Sequence, residues 1–180
     1  RGIDGSGRLV CNFDTGVDGD HPALQYNWRG LHASLSSTWF SPYIAGAIPN
    51  DKVGHGTQTM GIMIGSIPSD SFGVAPGAEW IAAAVVDQGQ TLQKTFSDII
   101  AAYQWAIDPD GNPATHDDVP DVILNSWGVP TSVMPPCDAT FNQVIDNVEA
   151  AGVVTIFAAG NEGPNPYTLR LPANRAAGPY

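Results

Sequence analysis

RLVCNFDTG, residues 8–16, decides the fold. An apolar run broken only by Asn12 ends abruptly at Asp14-Thr15-Gly16. Such a run, closed by turn-forming residues, reads as a short strand buried inside a sheet. Three further runs share its character: AEWIAAAVV at 78–86, PDVILNS at 120–126 and VVTIFAAG at 153–160. None alternates apolar and polar residues as a half-solvated strand does, so the pattern indicates parallel strands covered on both faces. Helical segments lie between them. HGTQTMGIMIG (55–65) is the first. TLQKTFSDIIAAYQWAID (91–108) is the second, with Leu92, Phe96, Ile99, Ile100, Tyr103 and Ile107 on one face. ATFNQVIDNVEAAG (139–152) is the third, with Phe141, Val144, Ile145 and Val148 inward and Gly152 as its C-terminal cap. Strand and helix therefore alternate. The order predicts an α/β fold with a three-layer arrangement: a mostly parallel sheet with helices on both faces, truncated, within one domain portion spanning 1–180. Residues 17–52, 108–118 and 162–180 read as loop, and RAAGPY (175–180) reads as an interruption and not a terminus.

The totals narrow the function classes. The 180 residues are 43% hydrophobic, enough for a packed core and too apolar for a disordered chain. A formal net charge of −11 argues against nucleic acid and anionic membranes as partners. No apolar stretch approaches the roughly 18 residues that a membrane helix needs. These features fit a soluble, secreted protein. The chain does not begin with Met and carries no signal-peptide pattern at its start, which suggests a processed form or a fragment. Of the two cysteines, Cys11 lies in an apolar run and reads as a buried free thiol, and Cys137 lies beside two prolines. Two cysteines do not by themselves make a zinc site or a disulfide framework.

Ligands of an open parallel α/β sheet bind beyond the carboxyl ends of its strands. The first strand ends at Asp14, the third at Asn125-Ser126 and the fourth runs into Asn161, while His55 opens a helix at that same edge. Each residue has a plain structural reading. Asp14 can form a turn, His55 can start a helix, and Asn161 can occupy a left-handed turn after Gly160. Their convergence on one rim favours chemistry. A carboxylate that orients an imidazole base, with an amide to stabilise an oxyanion, is the equipment of acyl transfer. Gly54 and Gly56 would let backbone pack closely around the ring.

The same residues carry a resemblance. NFDTGVDGDHPAL (12–24), GHGTQTMG (54–61), GVAPGAEW (73–80), NSWG (125–128) and AAGNEGP (158–164) resemble, in this order, motifs of the subtilisin-like serine proteases, most closely the bacillopeptidase F type. The resemblance implies a serine endopeptidase acting on extended peptide or protein substrates, monomeric and secreted. It implies that Asp14 is the catalytic aspartate, His55 the general base and Asn161 the side-chain donor of the oxyanion hole. It implies that Ser126, Trp127 and Gly128 pair with the substrate, and that Ala158, Ala159 and Gly160 wall the pocket for the residue before the scissile bond (P1). That wall is small and apolar, which suggests a roomy, uncharged pocket whose floor lies outside these residues. Trp127 either narrows the groove or packs beneath it.

Three departures matter. Gln58 replaces a histidine of the commonest motif, at a position that should face away from the chemistry. Ala23 stands where many relatives carry a calcium-binding aspartate, and the loop 66–72 is short. The resemblance implies no cofactor for the chemistry; a structural Ca²⁺ belongs to many full domains of the family, but its usual site is absent from this pattern, and no metal site is assigned. Asp18, Asp20, Asp51 and Asp70 are the alternative calcium ligands and read better as solvated surface acids. The third departure is the nucleophile: these 180 residues contain no Gly-Thr-Ser-Met motif, and Ser6, Ser34, Ser36, Ser37 and Ser41 lie in loops with no constellation around them. The isolated chain is therefore expected to be inactive. The alternative is a non-catalytic peptide-binding module that keeps the groove.

Overall fold

The computed structural model describes residues 2–43 and 48–175; the final residues of the 175–180 stretch lie outside them. Its elements in chain order are β1 (Leu9–Asp14), α1 (Leu35–Thr38), β2 (Trp39–Phe40), α2 (His55–Ile64), β3 (Ser66–Ile67), β4 (Asp70–Ser71), β5 (Glu79–Ala84), α3 (Leu92–Ala106), β6 (Val122–Asn125), α4 (Asn142–Ala150) and β7 (Val154–Phe157). Five strands form one parallel sheet in the order β2-β5-β1-β6-β7. β3 and β4 pair antiparallel as a separate hairpin.

β1 lies at the centre, buried at all six positions. Its side chains alternate between two cores, as the period of two in a strand requires. Leu9, Cys11 and Phe13 pack with Ile99, Ala102 and Tyr103 of α3 and with Ile145 and Val148 of α4. Val10 packs on the other face with Trp80 and Ala82 of β5 and with Met60 and Ile64 of α2. Asn12 and Asp14 share the parity of Val10 and so face α2. One turn of the strand pleat thus decides which helix meets the carboxylate.

The strand and helix assignments from the sequence agree with these elements to within a few residues. Two details differ. Residues 17–52 are not all irregular: besides two 3₁₀ turns (Gln25–Asn27 and Arg29–Leu31), they contain α1 and the edge strand β2, which pairs Trp39 and Phe40 with Ala82 and Ala83. A two-residue strand is too short to show a period, and it is held by the burial of Trp39. Leu92 is 42% exposed, because it stands in the first turn of α3 above the core; Ala102 and Ala106 complete the inward face instead.

Coverage of the sheet is uneven. Among the described residues, helices lie over both faces of β1, Val122 of β6 still packs against the core on the α2 side, and β7 is covered only on the side of α3 and α4. Val154 and Ile156 of β7 are 57% and 47% exposed. Continuous apolar character in this strand therefore does not mean burial on both sides among the residues described. Both cysteines are free, Cys11 buried and Cys137 exposed. No helix among the described residues is long and apolar enough to cross a membrane.

Candidate active site

Asp14 is the last residue of β1 and His55 the first of α2. Asp14 Oδ1 accepts a hydrogen bond from His55 Nδ1 at 2.7 Å. An ionised carboxylate only accepts, so this contact places a proton on Nδ1, and in the neutral ring Nε2 keeps its lone pair. Nε2 has no partner among the described residues, and the ring is half-exposed while Asp14 is buried. Asp14 also accepts from the Thr15 backbone N–H through Oδ1 (2.7 Å) and from the Thr59 hydroxyl through Oδ2 (3.3 Å). Burial pushes its carboxyl above the ordinary value, and the hydrogen bonds from His55, Thr15 and Thr59 pull it back part of the way.

The corner is built by side chains distant in sequence. The first N–H groups of a helix have no partner within it. Here Gly56 N–H donates to Thr15 Oγ1 (2.9 Å) and Thr57 N–H to Asp51 Oδ2 (2.9 Å). Asp51 Oδ1 accepts from Val53 N–H, Gly54 N–H and the Thr15 hydroxyl. Asn12 Nδ2 donates to Gly56 O and to Thr59 Oγ1, both at 3.0 Å. These bonds tie α2 to the end of β1 and so fix the ring against the carboxylate. Asp51 is therefore not a solvated surface acid: it is partly buried, and its hydrogen bonds with Gly54 and Thr57 hold its carboxyl below the usual range against the effect of burial.

The two glycines flanking His55 act differently from the sequence reading. Gly54 has φ +91 and open space beyond its Cα, so it serves the left-handed entry into α2. Gly56 serves close approach, but to the turn that follows β1 and not to the ring: a Cβ there would lie 2.0 Å from Gly16 O and 2.9 Å from Asp14 Cβ. Gln58 is exposed. Asn125, at the end of β6, is fully buried and accepts from the Tyr103 hydroxyl at 2.7 Å, so it belongs to the core and not to the rim.

Residues 126–128 and 158–161 follow β6 and β7 at the same sheet edge. The register sets Phe13, Asn125 and Phe157 in one row. Strands lie about 4.8 Å apart, which puts β7 about 10 Å from β1. Ala158 N–H donates to Asn125 O and prolongs the pairing (3.0 Å). Ala158, Ala159 and Asn161 are exposed, and Ser126 and Gly128 are half-buried. Trp127 packs beneath: it is 9% exposed and meets Phe141 and Phe157 edge-on, with ring centroids 5.5 and 5.8 Å away. Part of the ring lines a cleft of about 410 Å³ between residues 86–90, the start of α3 and residues 127–130. The Asn161 side chain makes no hydrogen bond among the described residues; its backbone N–H donates to Glu162 Oε2 at 3.0 Å.

An ion pair lies beside 158–160. Arg170 pairs with Glu162, and its Nη1 donates to Gly128 O at 3.2 Å. Sequence reasoning missed Asn12, Thr15, Asp51, Thr59 and Arg170. Only Asp51 left a local signal, an Asx-turn pattern ending at Gly54. The others act on residues that are neighbours only in space.

Comparison with known proteins agrees with this architecture. A description of the Subtilase family matches residues 5–176. Bacillopeptidase F of Bacillus subtilis is 34% identical over 189 aligned positions, which cover 96% of this chain and 13% of that protein. Subtilisin E of the same organism is 32% identical, covering 99% of this chain and 42% of its own length. Among solved structures, Sphericase superposes with a TM-score of 0.68 at 27% identity, covering 94% of this chain and 51% of the other. The chain thus spans about half of that structure and less of the two Bacillus relatives. With a match along nearly its whole length and a parallel sheet flanked by helices in the subtilisin manner, the chain belongs to the subtilase family.

Proposed function

We propose that this chain carries the acid–base half of a serine endopeptidase site, within the N-terminal portion of a single peptidase domain. One observation carries the reading: a buried carboxylate holds the Nδ1 side of a half-exposed imidazole whose Nε2 has no partner among the described residues. In this reading His55 Nε2 removes the proton from a serine hydroxyl supplied by sequence outside these 180 residues. The hydroxyl oxygen attacks the peptide carbonyl, and His55 then returns the proton to the leaving amine. Asp14 keeps the ring in the required tautomer and stabilises the imidazolium as it forms.

Asn161 donates its side-chain amide to the oxyanion of the tetrahedral intermediate. Residues 126–128 add the substrate backbone as an extra strand, and 158–160 wall the P1 pocket. Exposure of Asn161, Ala158 and Ala159 fits groups that await a ligand. No cofactor takes part. Substrates are extended peptide or protein segments, and the acidic chain works outside the cell as a monomer.

The test is labelling of the full-length protein that carries this segment with a fluorophosphonate, together with peptide hydrolysis. Covalent labelling that disappears in His55→Ala is the expected result. A folded full-length protein that binds peptides, is not labelled and hydrolyses nothing would replace this reading with a non-catalytic peptide-binding module. The 180-residue chain alone is expected to take no label.

A further inference from the structure

Arg170 crosses between the two segments proposed above to flank the P1 side chain. Its backbone N–H donates to Ala159 O at 3.2 Å, and Leu171 exchanges backbone hydrogen bonds with Val129 at 2.8 and 3.0 Å. The guanidinium reaches one segment through Gly128 O and the other through Glu162. The fit requires two glycines. A Cβ on Gly128 would lie 2.7 Å from Arg170 Cβ, and one on Gly160 would lie 2.8 Å from Glu162 Oε2 and 2.9 Å from Arg170 Cγ. On the endopeptidase reading, the Arg170–Glu162 ion pair stands between the two segments that flank the P1 side chain.

We propose that Arg170 determines P1 specificity and selects side chains that end in an acceptor oxygen, Glu or Gln, over aromatic and basic ones. The inference rests on the endopeptidase reading. Donor accounting supports it. A guanidinium carries five N–H groups in a fixed fork. Nε donates to both Glu162 oxygens at 3.0 Å, Nη2 donates to Glu162 as well, and one Nη1 proton goes to Gly128 O. One N–H on each Nη nitrogen is left for a ligand.

Glu162, by contrast, has both oxygens engaged, and Arg170 holds its carboxyl below the usual range. A basic P1 side chain must break that pair to use Glu162. An aromatic one must desolvate the pair without offering an acceptor in return. Arg170 is 27% exposed at its side chain, so the guanidinium is partly open to a ligand.

The experiment measures kcat/KM of the full-length protein on four peptides that differ only at P1: Glu, Gln, Phe and Lys. Glu and Gln are expected to lead. Arg170→Ala is expected to lower the Glu-to-Phe ratio about 10- to 100-fold, the span of one or two lost charge-assisted hydrogen bonds. The ratio is internal, so partial misfolding of the variant, which lowers all four values together, does not imitate the effect. Glu162→Gln, which keeps the shape and removes the competing charge, is expected to raise Glu relative to Gln. A Glu-to-Phe ratio unchanged in Arg170→Ala, or a parent that prefers Lys or Phe, overturns the proposal while leaving the endopeptidase reading intact. Absence of both labelling and hydrolysis overturns the two together.

Discussion

The corner where β1 meets α2 and the rim beyond β6 and β7 belong to the same sheet edge but are built in opposite ways. At the corner, Asn12, Thr15, Asp51 and Thr59 tie the backbone and side chains around Asp14 and His55 together, and Asp14 is 1% exposed. At the rim, Asn161 is exposed and its side chain has no partner in the described residues. The difference teaches that orientation and recognition have different needs. A base must be held in one tautomer and one position before substrate arrives, so its surroundings are bonded in advance. A group that meets the substrate must keep its donors free, so its surroundings are open.

Substitutions can break or sharpen that contrast. The largest effect on activity separates chemistry from stability at the corner. In the full-length protein, Asp14→Asn is expected to lower kcat by about 10⁴-fold, the loss established when the acid of such a triad is removed, in subtilisin among others. Its stability should move the other way with pH. Burial raises the folded-state pKa of Asp14 above its unfolded value. The stability that protonation contributes is therefore fully present below the ordinary carboxylate pKa and is lost as pH rises through the raised value. An asparagine does not titrate. Urea unfolding from acid to neutral pH should show the stability difference shifting in favour of the variant as pH rises; a shift toward the parent would mean that the hydrogen bonds from His55, Thr15 and Thr59 outweigh burial.

A smaller loss is expected at the rim. Asn161→Ala should reduce kcat by about 10²- to 10³-fold, the usual cost of one oxyanion donor. Its melting temperature should stay within about 1 °C of the parent, because an exposed side chain without partners contributes little to folding. A clear drop in melting temperature would show that the rim is bonded in advance after all, and the contrast would fail. The smallest effect on rate belongs to Asp51→Ala. It removes a cap from α2 without touching the ring, so a loss of about 1–2 kcal/mol in stability is expected, with kcat changed by about tenfold or less. Chemical denaturation and peptide turnover on the same sample decide this, and a rate loss as large as that of Asp14→Asn would place Asp51 in the chemistry itself.

Much of the architecture was legible because strands and helices of this fold announce themselves locally. RLVCNFD and VVTIF are apolar runs of strand length, and the face of α4 repeats at helical spacing. β2 escaped notice because two residues have no period, and the open face over Val154 and Ile156 escaped because apolar composition reports what a strand can bury and not what covers it. The candidate site divides in the same way. Asp14, His55 and Asn161 stand at element ends, where sequence punctuation reveals them. Asn12, Thr15 and Arg170 act across 41 to 44 positions on partners such as Gly56 and Gly128, and no local pattern encodes such a contact.

The sequence by itself determined that there is a parallel α/β sheet, which runs form its strands, and which polar residues end them, because propensity and periodicity are properties of neighbours along the chain. Only the tertiary structure decided which face of β1 Asp14 occupies, that Thr15 and Asp51 cap the helix of His55, and that Arg170 lies between Gly128 and Gly160. Those are contacts between distant segments, and packing and hydrogen-bond satisfaction select them only when the whole chain has closed.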